Sequence, residues 1–206
     1  MFTGIVTDVG EVLAIDERQT GIRLKIASRY AEAGIDIGAS IAHAGICLTV
    51  VDKGEEGNRD WFAVEASPET LAVTTMGSWA PGSRVNLERS LTLGQEMGGH
   101  LVTGHIDGVA EVIGRDNDGD MAVLTFRVPD AFARFIAAKG SVALDGTSLT
   151  VNLVEGSTFT VMLIPHTLDV TTWGAIKLGD KVNFEVDLMA RYAARLMEAQ
   201  PATSQP

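Results

Sequence analysis

The chain is 206 residues long and carries 16 Lys plus Arg against 27 Asp plus Glu, a net charge of −11. At 46% hydrophobic and 21% charged it can bury the core of one or two domains, which argues against a disordered chain. The acidic balance, without any Lys/Arg run, argues against a binder of nucleic-acid backbones.

In chain order, GEVLAIDE, IRLKIAS, ASIAHAGICLTVVD, DWFAVEAS and SRVNLERSL are β-prone runs. Turn signals at Lys53-Gly54, Gly57-Asn58 and Pro81-Gly82 punctuate them. The second half repeats the scheme with EVIGRD, MAVLTFRV, SVALDGTSLTVNLV, STFTVMLI and KVNFEVDL. RYAEAGID and DAFARFIAAKG predict a short helix at the same place in each half. Many short strands and little helix predict a small antiparallel barrel per half, since closure removes unpaired edges. LMARYAARLMEAQ then predicts a helix with Met189, Tyr192, Ala193, Leu196 and Met197 along one face, packed on its own barrels or holding subunits together, before PATSQP trails off. No apolar stretch approaches the ~20 residues that span a bilayer, and MFTGIVTDVG lacks the flanks of a signal peptide, so a soluble cytoplasmic protein is expected. One cysteine, Cys47, forms no disulfide within the chain, and no Cys/His spacing resembles a zinc site, so no metal is expected.

The halves are copies. SIAHAGICLTV from Ser40 aligns without gaps on SVALDGTSLTV from Ser141. The 25 residues from Ser67 align on those from Ile164 with 12 identities, and MFTGIVTDVGEV aligns more weakly on LVTGHIDGVAEV from Leu101. Three blocks in one order at nearly one shift indicate duplication of a unit of about a hundred residues. Where the copies differ, function departs from scaffold: Ile5 stands opposite His105, Cys47 opposite Ser148, Glu65 opposite Met162 and Ala44 opposite Asp145.

Each of these has a plain structural reading as well. His100 and His105 lie five apart, on opposite faces of a regular strand, and do not share a metal. Cys47 sits in an apolar run without a cationic neighbour, the setting of a small buried hydrophobe more than of a nucleophile. Ser148 lacks a G-x-S-x-G elbow, and its hydroxyl reads as a donor and acceptor for a ligand. Thr49 and Thr150 suit a strand or a ligand equally, and His43 and His166 read as surface or supporting groups.

Together, MFTGIV, SIAHAGICLTV, GGHLVTGHID, LDGTSLTV and LIPHTLDVTT resemble, in order, the alpha-chain type riboflavin synthase family, from Met1 to about Leu196. The resemblance implies an all-β fold of two similar six-stranded antiparallel Greek-key barrels with a C-terminal helix. It divides the chain into lumazine-binding barrels at residues 1–96 and 97–186, an oligomerisation helix at 187–199 and a tail at 200–206. It implies a homotrimer, and an active site between the first barrel of one subunit and the second of its neighbour. The implied reaction is a dismutation of two 6,7-dimethyl-8-ribityllumazine molecules to riboflavin and 5-amino-6-(D-ribitylamino)uracil by transfer of a four-carbon unit, without an external cofactor. Association with lumazine synthase occurs in some relatives. The runner-up is a non-catalytic antenna protein that binds lumazine or flavin.

Carried over by position, the first pocket takes Gly4, Ile5 and Val6 together with Cys47, Leu48 and Thr49. The run Glu65, Ala66, Ser67, Pro68, Glu69 and Thr70 completes it. The second takes Gly104, His105 and Ile106, then Lys139, Ser148, Leu149 and Thr150. The run Met162, Leu163, Ile164, Pro165, His166 and Thr167 completes that one. Main-chain groups beside Leu48 and Leu149 are expected to pair with the pyrimidinedione edge, and Glu65 with ribityl hydroxyls. His105 is the expected proton-transfer group, and Ser148, Cys47 or water the expected nucleophile or its positioner. Phe2 is expected to cover a bound ring and Ser40 to hold a hydroxyl. Ala44-Gly45 departs from the family's Asn-Gly at that place.

Overall fold

The computed structural model describes residues 1–198. The expected helix end at residue 199 and the tail at 200–206 lie outside the described residues. The first half forms β1 (Asp8–Glu17), β2 (Ile22–Ala27), β3 (Ser40–His43), β4 (Ile46–Glu56), β5 (Arg59–Ala66) and β6 (Arg84–Arg89). They close into an antiparallel barrel in the order β1-β2-β5-β4-β3-β6, a Greek key. The second half forms β7 (Gly108–Asp118), β8 (Met121–Arg127), β9 (Ser141–Leu144), β10 (Thr147–Glu155), β11 (Thr158–Leu163) and β12 (Lys181–Val186), closed in the equivalent order. Both copies keep the same irregularities: the register slips between Val12 and Ala14 and between Val112 and Gly114, and again between Val50 and Asp52 and between Val151 and Val154. The duplication is therefore preserved in backbone detail, because a bulge fixes where each strand bends.

Three expectations change. ASIAHAGICLTVVD is a hairpin of two strands, since Ala44 (φ 45°) and Gly45 (φ 83°) are both left-handed, the geometry of a tight turn. Lys53-Gly54 is no turn but part of β4, where the missing side chain of Gly54 leaves room for the Trp61 ring on β5. Short helices α1 (Pro68–Val73) and α3 (Pro165–Val170) follow β5 and β11. Each has proline at its start, where the missing N–H costs nothing. The helices predicted between β2 and β3 and between β8 and β9 shrink to a 3-10 turn at Glu32–Gly34 and one turn, α2 (Asp130–Ala133).

Inward residues of alternating strands fill each barrel: Leu24, Ile26, Leu48, Val50, Phe62 and Leu87 in the first, Leu124, Phe126, Val151, Phe159 and Phe184 with Trp173 in the second. His43 belongs to the first core: it is fully buried, edge-on to Phe62, and burial pulls its pKa down to about 4. That overturns its reading as a surface group, because the alternation that points Ile41 inward points His43 inward too. A third cluster of Phe2, Val102, Ala42 and Ala143, with Cys47 against it, sits between the barrels. Two asparagines tie the barrels crosswise. Asn86 donates to the Asp145 carbonyl and accepts from Thr172 N–H, while Asn183 donates to the Ala44 carbonyl and accepts from Thr75 N–H. The final helix, α4 (Leu188–Glu198), is fixed by Arg191 to Asp107 at 2.7 Å and Arg134 to Glu198 at 2.5 Å. Its Met189, Tyr192, Leu196 and Met197 stay exposed rather than packing on the barrels.

Candidate active site

Each barrel has a notch where two strands part. Pairing of β4 with β5 begins at Val50 opposite Val64, leaving residues 46–49 and 65–66 facing each other without a ladder. Pairing of β10 with β11 begins at Val151 opposite Val161 and leaves the same gap. Leu48 and Leu149 point into the cores, so only their neighbours reach the surface. The amides of Val50 and Val151 donate to the carbonyls of Ala39 and Gly140, just before the adjacent strands β3 and β9. By the alternation of an antiparallel ladder, the main-chain groups of Cys47, Thr49, Ser148 and Thr150 therefore turn away from β3 and β9. Cys47 and Ser148 spend their amides on the Gly104 and Gly4 carbonyls at 2.9 and 2.7 Å, whereas Thr49 and Thr150 carry theirs into the notches.

Those two bonds cross the molecule and correct the expected grouping. Gly4, in the first arm, lies against Ser148 of the second barrel, and Gly104, in the second arm, against Cys47 of the first, with Ile106 packed on that barrel's core. A methyl group at Gly104 (φ 81°) would sit 2.5 Å from Cys47 Cβ, and one at Gly4 (φ 77°) 2.6 Å from Ser148 Cβ. Only glycine lets the chain come this near in a left-handed conformation. The arms are exchanged because Phe2 pairs with Val102 across the centre, so each passes beyond its own barrel.

Buried carboxylates hold the arms. Glu185 accepts from Thr103 N–H (2.7 Å) and hydroxyl (2.6 Å), Gly104 N–H (2.9 Å) and His105 N–H (3.1 Å). Glu88 does the same for Thr3 N–H (2.8 Å), Thr3 hydroxyl (2.9 Å) and Gly4 N–H (2.9 Å). Burial pushes the Glu88 carboxyl upward, against the pull of these donors. The clamps fix the arm backbones and leave the Ile5 and His105 side chains exposed.

The first notch thus gathers Cys47, Thr49 and Glu65, with the arm that carries His105 beside Cys47; Ser67, Pro68 and Glu69 are exposed at the rim of the notch and Ala66 is turned inward. Ser67 caps α1 by accepting from Thr70 N–H. The second gathers Ser148, Thr150 and Met162 beside the Gly4 arm, with Ile164, Pro165 and His166 exposed. Leu163 is core, and Thr167 accepts from the Thr171 hydroxyl. Lys139 is exposed two residues before β9, in a left-handed conformation (φ 66°) where the first copy has Gly38 (φ 89°). Ser40 neighbours Thr49 across the strands and lines a cleft of about 880 Å³ with Ile5 and Tyr30. Phe2 is wholly buried at the centre and covers no mouth, because it packs between the barrels.

One residue that sequence reading left aside is here as well. His100 does not share a regular strand with His105; its Nδ1 lies 2.7 Å from Ser148 Oγ. The signal was the Gly98-Gly99 pair before it, which lets the linker press against the first arm. Among the described residues no cluster of His, Cys, Asp or Glu has the makings of a metal site, and no helix is long and apolar enough to cross a membrane.

The Lumazine binding domain family matches twice, at residues 3–90 and 103–187. The chain is similar to the riboflavin synthase of Brucella abortus, 56% identical over 201 residues, covering 97% of this chain and 100% of that one. It is 41% identical over 202 residues to that of Mycobacterium tuberculosis (97% and 99% covered) and 40% over 198 residues to that of Photobacterium phosphoreum (96% and 89%). The fold is shared with LumP crystallised with 6,7-dimethyl-8-(1'-D-ribityl) lumazine, at a TM-score of 0.75 and 23% identity, covering 90% of this chain and 99% of that one. Twin barrels with matching notches and arms, matched twice by one domain family and along nearly the whole length by these enzymes, place the chain in the riboflavin synthase family.

Proposed function

We propose that this chain converts two molecules of 6,7-dimethyl-8-ribityllumazine to riboflavin and 5-amino-6-(D-ribitylamino)uracil, one molecule held in each kind of notch. The observation that carries this is the pair of equivalent openings, each edged by free main-chain groups. A free strand edge offers the alternating N–H and C=O that an imide edge pairs with, and two like edges suit two like rings. Thr49 and Thr150 would supply those groups, and Glu65, Ser40 and Lys139 would meet the ribityl chains.

In this reading, a notch on one barrel meets its complement across a subunit boundary. Met162 (41% exposed) and Ile164 (50%) leave apolar surface on the second notch, in keeping with a neighbouring subunit's first notch closing over it. The exposed stripe of α4 would hold the subunits as a homotrimer. Juxtaposing the two rings replaces a chance encounter with a fixed one, an advantage of roughly 7–11 kcal/mol in well-oriented systems. His105, held on the second arm beside Cys47, would take the proton from the C7 methyl of the lumazine in the first notch. The partner lumazine, at Ser148, is then the one whose ring must be made electrophilic. No external cofactor enters this scheme.

Mixing the protein with 6,7-dimethyl-8-ribityllumazine and following riboflavin absorbance tests the proposal. One riboflavin should form per two lumazines consumed, and tight binding without product would instead identify an antenna protein.

A further inference from the structure

The linker that joins the barrels ends as Gly98-Gly99-His100, laid over the first arm so that His100 N–H donates to the Thr3 carbonyl at 3.1 Å. A side chain at Gly99 would run into that carbonyl oxygen and lie 2.7 Å from Ser148 Cβ, so the linker is built for this passage. It delivers the imidazole with Nδ1 2.7 Å from Ser148 Oγ and Nε2 shut away from solvent with no hydrogen-bond partner among the described residues. Burial lowers the pKa of this ring, with only the charge of Asp187 opposing, so a neutral ring with a single N–H is the state to consider.

That N–H has two places to be. On Nε2 it would be a buried donor with no acceptor, which native proteins rarely tolerate; on Nδ1 it is spent on Ser148, and Nε2 keeps only a bare lone pair. In the second arrangement the Ser148 oxygen already accepts, and its own proton remains to be given away. The first barrel lacks this device: among the described residues no hydrogen bond reaches the Cys47 thiol, and the chain leaving β12 becomes α4 rather than a linker over the second arm.

We propose that His100 is a positioning residue that donates from Nδ1 to Ser148 and so commits the Ser148 hydroxyl to donate to an acceptor atom, a carbonyl oxygen or ring nitrogen, of the heterocycle in the second notch. This rests on the lumazine reading above and adds to it that the two notches are chemically unequal. The ring at Ser148 is drained of electron density by a fixed donor, while the ring at Cys47 is not.

The protein labelled with ¹⁵N-histidine carries only four imidazoles, so the tautomer of His100 is directly observable, whatever the activity. Nδ1 is expected in the range of a protonated ring nitrogen and Nε2 in that of a bare one; the reverse assignment overturns the proposal. Turnover of lumazine by His100→Ala is expected to fall about 10–100-fold in kcat. His100→Asn, whose amide can donate from near the Nδ1 position, should recover most of that. Ser148→Ala added to His100→Ala should cost little more. An Ala variant as active as wild type, an Asn variant as poor as Ala, or full additivity with Ser148→Ala would each overturn it. Wild-type protein that yields no riboflavin would instead reject the lumazine reading, leaving the tautomer measurement to decide this one.

Discussion

Asp145 offers a measurable test of how the barrels are joined. Burial pushes its carboxyl up to about 7, opposed only by Asn183 N–H, which donates to it at 2.8 Å. An acid whose pKa is higher folded than unfolded binds its proton more tightly in the native state, so stability falls as pH rises from near 4 through about 7. Between pH 5 and 8 the fall amounts to about two pKa units of free energy, on the order of 3 kcal/mol. Asp145→Asn keeps the acceptor and the turn while removing the charge. Urea unfolding of both proteins across that range should give a difference curve that moves about 3 kcal/mol in favour of Asn by pH 8. The difference matters because His43 works the other way: its pKa, lowered to about 4, leaves it neutral when folded, and it costs stability as pH drops below about 6.5. Wild type alone would show two opposing slopes. A flat difference curve would mean that the Asp145 carboxyl is ionised throughout and that its burial carries no cost.

Glu185→Gln turns an amide group toward two of the four donors the carboxylate now holds, at an expected cost of about 3 kcal/mol. Because those donors fix the arm bearing His105, kcat should drop more than the affinity for lumazine, as read from steady-state kinetics. Ala44→Asn replaces a residue strained at φ 45° with one that tolerates that conformation, and calorimetry should show a gain of about 1 kcal/mol; no gain would mean the turn carries no strain. Leu196→Glu on the exposed stripe of α4 should shift sedimentation of the proposed trimer to that of a monomer, with the barrels intact by circular dichroism. An unchanged sedimentation coefficient would remove α4 from the interface.

The duplicated barrels were legible because periodicity and repetition are local properties: Leu24 and Ile26, or Leu124 and Phe126, alternate inward in plain sight. The differences between the copies were legible too, since Cys47 opposite Ser148 and Ile5 opposite His105 break the repeat. Their grouping was not. The exchange of arms depends on Phe2 meeting Val102, a pairing between residues a hundred apart that no local pattern encodes. His100 escaped for a similar reason: its spacing to His105 was read along a regular strand, whereas its partner, Ser148, is far along the chain. The surface alternative for His43 failed because strand alternation turns this polar residue inward.

The exchanged arms also bear on synthesis. The amide of Cys47 waits for the carbonyl of Gly104, and the carbonyl of Gly4 for the amide of Ser148, so the first barrel leaves the ribosome with its N-terminal strap unplaced. At about 5–20 residues per second, the stretch from the first hairpin to Ser148 takes several seconds to appear. Until Val102 emerges Phe2 has nothing to pair with, and the nascent chain carries an apolar ring that only its own later half can cover.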